Sequence, residues 1–189
     1  MPQNQALTVI YGGTFDPPHV AHVLTVAWLL SALDAEVWVE PVDRHVLGKR
    51  PTDFATRKRW CELAFGIFGP RLQVRTDEQR PDASGATIDL LRHLKNLHPQ
   101  RHFRLAIGSD ILAERHQWRD FPGVMALAPL IVLPRPGYPI PAEFQAFAAP
   151  LLLPEVSSSS LRKATGEQQR GLIPHAVLEA MAAEGKVVE

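Results

Sequence analysis

The feature that most constrains this chain is an alternation of short apolar runs with longer segments of helical periodicity. Leu7 to Tyr11 is rich in β-branched residues and runs into Gly12-Gly13, the pattern of a buried strand entering a glycine turn. Val20 to Leu33 places Val20, Val23, Leu24, Ala27 and Leu30 at helical spacing, with apolar residues on other faces as well, as in a helix buried against a sheet. Val37 to Val42 reads as a second strand. Ala55 to Phe68 reads as an amphipathic helix carrying Trp60, Leu63, Ala64, Ile67 and Phe68 on one stripe, and Leu72 to Arg75 as a third strand. Thr87 to Leu97 is helical by its Ile88, Leu91 and Leu94 spacing, Phe103 to Ile107 is a strand ending in Gly108, and Ile111 to His116 is helical. Leu130 to Leu133 is a strand, Leu151 to Leu153 a weaker strand candidate, and Pro174 to Ala183 a closing helix with Pro174 at N1 and Gly185 past its end. This βαβαβ order predicts an α/β fold: a Rossmann-like, doubly wound parallel sheet with right-handed crossovers. Ligands of such sheets bind beyond the carboxyl ends of the strands, at the switch point.

With 189 residues the chain predicts a single domain, residues 1–189, with a core of about 6–135 and a C-terminal segment of about 151–189. The hydrophobic fraction of 46% and charged fraction of 21% argue against disorder and coiled coil. Twenty basic residues balance twenty acidic ones, so no overall field draws the protein to nucleic acid or to a membrane, and any anion site is local. The lone Cys61, beside the apolar stripe of the second helix, excludes an internal disulfide and a cysteine-based zinc site and fits a reducing compartment. No basic leader precedes the first strand, and Val23 to Leu30 is far shorter than the ~18 apolar residues that span a bilayer. These observations predict a cytoplasmic protein. The oligomeric state stays open, a homo-oligomer included.

The segment Gly12-Gly-Thr-Phe-Asp-Pro-Pro-His-Val-Ala-His22 falls where the first strand becomes the first helix. Paired glycines let a backbone approach a polyphosphate, and a helix N-terminus offers amides and positive partial charge to an anion. His19 and His22, three apart, can face the same oxygens and donate hydrogen bonds as charge develops there. Either feature alone is more simply a turn or a surface histidine; together at this junction they favour a phosphate site. A metal pair is a weaker alternative, since no third ligand cluster is evident.

Ser157 to Ser160 open a helix and Arg162 follows one turn later, so hydroxyls, amides and a forked cation gather at one end; the plainer alternative is a cap with a solvated arginine. Asp110 after Gly108 can accept hydrogen bonds from ribose hydroxyls or cap a helix. Between Asp43 and Arg59 stand six basic and two acidic residues, able to cap a phosphorylated substrate or to form a solvated face. His93, His98, His102, His116 and His175 have no matching partners and read as structural or surface residues.

Gly12 to His19 (GGTFDPPH) resembles the signature of the nucleotidyltransferases with the (H/T)xGH motif, and within them of the bacterial nicotinate-nucleotide adenylyltransferases. The resemblance continues through Arg57-Lys58 with Glu62-Leu-Ala64, Gly108-Ser-Asp110 with Trp118, Leu133-Pro-Arg-Pro-Gly137 and Val156-Ser-Ser-Ser-Ser-Leu-Arg162. Two positions depart from the pattern: Ala21 replaces a glycine, where its methyl would crowd the adenine or ribose, and Ala86 replaces a tyrosine. The resemblance implies transfer of AMP from ATP, with Mg²⁺, to nicotinate mononucleotide. It implies His19 and His22 as catalytic residues, and Gly12, Gly13, Thr14, Phe15, Ser157, Ser158 and Arg162 as ATP and phosphate ligands. On the mononucleotide side it implies His45, Lys49, Asp110, Trp118 and Arg135, with Thr87 at a helix start that offers donors to a carboxylate. The alternatives are a relative acting on nicotinamide mononucleotide, phosphopantetheine or a CTP-dependent substrate, and a silent nucleotide-binding regulator.

Overall fold

Five strands, β1 (Leu7–Gly13), β2 (Ala35–Pro41), β3 (Leu72–Val74), β4 (His102–Gly108) and β5 (Leu130–Leu133), lie parallel in the order β3-β2-β1-β4-β5. The computed structural model describes residues 6–43 and 51–187. Eight helices accompany them among the described residues: α1 (Val20–Ala32), α2 (Phe54–Phe65), α3 (Thr87–Leu97), α4 (Ser109–Ala113), α5 (Phe121–Leu127), α6 (Ser158–Leu161), α7 (Gly166–Gln169) and α8 (His175–Ala183).

The pleat sends successive side chains to opposite faces of the sheet, and because both faces are buried the strands are apolar almost throughout. Val9, Tyr11, Val37, Val39, Ala106, Ile131 and Leu133 face α1, α2 and α8. Ile10, Trp38, Leu105, Ile107, Leu130 and Val132 face α3, α4 and α5. The side of the crossovers thus changes after β3, and the chain returns to pair β4 with β1, opening the switch point between those two strands.

Several elements differ from the sequence reading. The second helix ends at Phe65 and continues as 3-10 turns to Arg71, because Gly69 turns left-handed at φ 70° and Pro70 follows it. Residues 151–153 form no strand. Pro150 and Pro154 flank them, and the edge of β5 is met earlier, where the Ala149 amide donates to the Val132 carbonyl at 2.8 Å. Pro174 caps α8 rather than opening it, with Gly185 left-handed beyond its end. Helix α5 was not anticipated; its signal is Asp120, whose carboxylate caps the Gly123 amide, followed by Pro122 in the first turn. No helix among the described residues is long and apolar enough to cross a membrane.

Candidate active site at the switch point

A cleft of about 860 Å³ opens beyond the carboxyl ends of β1, β4 and β5. Gly12, Gly13, Thr14, Phe15, His19, His22, Asp110, Arg135, Ser157, Ser158 and Arg162 all line it, so most of the residues selected from sequence converge there. Thr87 and Trp118 do not line it, and His45 and Lys49 lie outside the described residues.

The loop after β1 is built by packing. A Cβ on Gly13 would come within 2.9 Å of the Phe15 ring, so that position needs glycine. Phe15 adopts φ 50°, rare for a bulky residue. Its ring is held in the core by edge contacts with His22 (4.9 Å between centroids), Tyr11 (5.5 Å) and Phe65 (5.9 Å), which leaves its backbone to serve the cleft. The Asp16-Pro17 peptide is cis, and His19 caps α1.

His19 and His22 stack with ring centroids 3.7 Å apart and planes 21° apart. The His19 amide donates to His22 Nδ1 at 3.1 Å, which puts the neutral ring proton of His22 on Nε2. Burial, with the nearby Arg135 charge, pushes His19 down to about 3; burial, then His19 and Arg135, hold His22 well below its ordinary value. Both imidazoles are therefore neutral donors at pH 7.

Across the switch point, the Ser109 hydroxyl accepts from the Arg135 amide at 2.9 Å, fixing the segment after β5 against α4. Asp110 folds back over Gly108, where a Cβ would collide with its carboxylate, and stands 3.9 Å from Arg135 Nε. On the third side, Ser157 caps α6 by accepting from the Ser160 amide, Ser158 Oγ donates to the Pro17 carbonyl at 2.8 Å, and Arg162 donates to the Asp16 carbonyl and lies 3.4 Å from its carboxylate.

A cytidylyltransferase-like family model matches residues 10–164. A probable nicotinate-nucleotide adenylyltransferase of Anaeromyxobacter dehalogenans (strain 2CP-1) is 37% identical over 186 residues, covering 93% of this chain and 94% of its own. One of the same name from Myxococcus xanthus is 36% identical over 168 residues, covering 87% and 86%. The chain belongs to the nicotinate-nucleotide adenylyltransferase family. The fold agrees: a Plasmodium falciparum nicotinic acid mononucleotide adenylyltransferase complexed with NaAD superposes with a TM-score of 0.82 over 95% of this chain and 96% of that one, at 21% identity.

Within this adenylyltransferase frame, three residues were missed from sequence. Arg57 is 1% exposed and reaches under the loop after β1. Its signal was available, since it precedes Trp60 and Cys61 by three and four positions and so shares their buried stripe. Asp16 is buried within the same loop, with Oδ1 free of any hydrogen bond among the described residues. Glu40, 1% exposed and opposite Gly12 in the β1–β2 register, is pushed up to about 9 by burial and by the nearby Asp77 charge, and neither of its carboxyl oxygens has a hydrogen-bond partner among the described residues. Against its own burial, Asp77 is kept ionised by Arg75 at 2.8 Å.

Ala21 requires a correction. It is 1% exposed and lies outside the cleft lining, so its methyl packs within the core and does not stand against a nucleotide. Cys61 is fully buried, and burial pushes its thiol up. Trp118 packs edge-on against Phe121 at 5.9 Å, while its neighbour Arg119 donates to Asp89 and to Ser84 Oγ; the Trp118 segment is thereby tied to the start of α3, where Thr87 lies.

Proposed function

We infer that the chain transfers AMP from ATP to nicotinate mononucleotide, forming deamido-NAD and pyrophosphate in NAD biosynthesis. The observation that carries this reading is the stacked, neutral His19–His22 pair at the start of α1, set beside the glycine turn and opposite Arg135 in the switch-point cleft.

No protein nucleophile is needed. The mononucleotide phosphate attacks the α-phosphorus of ATP in line, and the enzyme supplies position and charge stabilisation. His22 donates from Nε2, and His19 donates beside it, to oxygens that gain charge in the transition state. An arriving polyphosphate also raises the proton affinity of both rings and so favours their charged form, which donates more strongly than the neutral one. The backbone of Gly12, Gly13, Thr14 and Phe15 meets the transferred phosphoryl group, and Ser157, Ser158 and Arg162 take the leaving pyrophosphate. Asp110 accepts from ribose hydroxyls beside Arg135, and His45 and Lys49 serve the mononucleotide phosphate, while Thr87 and Trp118, outside the cleft lining but tied to each other through Arg119 and Asp89, would read a pyridine ring that extends beyond it.

Among the described residues no three His, Cys, Asp or Glu side chains gather as a cation cage. Mg²⁺ suits this arrangement as a companion of ATP, because it is commonly held by one or two carboxylates plus substrate phosphates. The unpartnered Oδ1 of Asp16, at the cleft, is the oxygen that would hold it. Bound there, the cation supplies partial neutralisation of the polyphosphate.

The test is a panel of acceptors with ATP and Mg²⁺: nicotinate mononucleotide, nicotinamide mononucleotide and phosphopantetheine, read by pyrophosphate release and by dinucleotide chromatography. Dinucleotide and pyrophosphate in equal amounts with nicotinate mononucleotide are expected. Tight ATP binding without pyrophosphate release on any acceptor would refute the reading.

A further inference from the structure

The loop after β1 is unusual in how its carbonyls are disposed. The Gly13 carbonyl accepts from the Val42 amide at 2.9 Å, that of Thr14 from Arg57 Nη1 at 2.8 Å, that of Asp16 from Arg162, and that of Pro17 from Ser158 Oγ at 2.8 Å. All four donors come from outside the loop. A loop that is to show amides to an anion must have its carbonyl dipoles turned elsewhere, and here they are held elsewhere.

We propose that Arg57 is a positioning residue for adenylyl transfer, which holds the Thr14 carbonyl away from the cleft so that the Phe15 amide points into it as a donor to the transferred phosphoryl group. This rests on the function inferred above. In a trans peptide the carbonyl of one residue and the amide of the next point in opposite directions, and the Thr14-Phe15 bond is trans. Arg57 is almost fully enclosed, whereas Thr14 and Phe15 both border the cleft, so the bonded carbonyl faces the interior. The Phe15 amide has no acceptor among the described residues.

The guanidinium is itself fixed at both edges. Its Nε donates to the Thr52 carbonyl at 2.7 Å, and the Thr52 amide donates to Asp16 Oδ2 at 3.2 Å, closing a ring from Arg57 through Thr52 and Asp16 back to the loop. A planar fork can hold the Thr14 and Thr52 carbonyls together; a lysine ammonium is a single point on a flexible stem. Phe15 at φ 50° is a conformation that persists only where its surroundings over-determine it, and Arg57 is one of those determinants.

The test compares wild type, Arg57→Lys and Arg57→Gln by the dissociation constants of ATP and adenosine, measured on the same samples, and by dinucleotide turnover. Both constants scale alike with the fraction of folded protein, so their ratio is insensitive to mere destabilisation. We expect the ATP constant to rise at least tenfold relative to that of adenosine, and kcat to fall by ~10², the loss typical of one oxyanion donor. Arg57→Lys should retain more of both than Arg57→Gln. Equal weakening of ATP and adenosine, or unchanged turnover in a folded variant, would overturn the proposal. A wild-type chain that binds ATP but makes no dinucleotide removes the functional reading instead, and the ATP-to-adenosine ratio still decides whether Arg57 orients a phosphate donor.

Discussion

Asp110 Oδ1 stands 3.9 Å from Arg135 Nε, directly over Gly108, and neither atom has a hydrogen-bond partner among the described residues. This ion pair is long and without a hydrogen bond, so both side chains can turn to engage a ligand between the ends of β4 and β5. The Arg135 charge also reaches His19 and His22 and helps keep both neutral. One arginine thus links the two sides of the switch point.

Gly108→Ala would place a methyl where the Asp110 carboxylate now lies. The obstructed atom is the end of a short side chain, so the fold should tolerate the change while Asp110 swings away. We expect kcat/KM to fall about 10-fold, in keeping with the ~1.5–3 kcal/mol of a hydrogen bond to a charged group. Steady-state kinetics beside a melting curve check this: unchanged kinetics would remove Asp110 from the nucleotide contacts.

His19→Ala should lower kcat by ~10²–10³ with a smaller effect on ATP binding, because a preorganised donor acts mainly on charge that develops in the transition state. Rapid-quench turnover and equilibrium ATP binding separate the two quantities. Turnover near that of wild type would take His19 out of the mechanism.

Two buried groups give opposite pH dependences. Glu40 is raised to about 9, so between its ordinary value near 4.5 and 9 the unfolded chain releases a proton that the folded chain keeps, and stability falls as pH rises through that window. For His19, lowered to about 3, the unfolded chain takes up a proton below 6.5 that the folded chain refuses, and stability falls as pH drops. Glu40→Gln keeps the size and shape of the side chain without the ionisable group. Its Tm gain over wild type should be larger at pH 8 than at pH 5; an equal or reversed gain would show that Glu40 is not held protonated.

Much of this was legible in the sequence because it is periodic or adjacent. Thr87–Leu97 and Leu130–Leu133 were bounded by their own apolar spacing, and the Gly12 to His22 segment is contiguous, so its chemistry could be read as a unit. The unread part depends on contacts between distant segments. Nothing near Glu40 in sequence announces Asp77 as its partner, and the bond from Arg57 to Thr14 spans 43 positions. Ala21 was misread because a motif position names the neighbouring ligand but not the direction of a side chain, and its methyl turns into the core.

Adenylyl transfer by this chain takes nicotinate as its preferred base. At the start of α3 the Ser84 hydroxyl is engaged with Asp89, and Asp89 is in turn held by Arg119, so acceptors there are occupied while the Thr87 hydroxyl and helix amides remain donors. A donor-only site favours a carboxylate over a neutral amide. The decisive measurement is kcat/KM for nicotinate and nicotinamide mononucleotides assayed in parallel with saturating ATP. A preference for nicotinate of at least ~10-fold is expected, equivalent to ~1.4 kcal/mol of differential transition-state binding; equal efficiencies or the reverse order would show that the base is not selected as described.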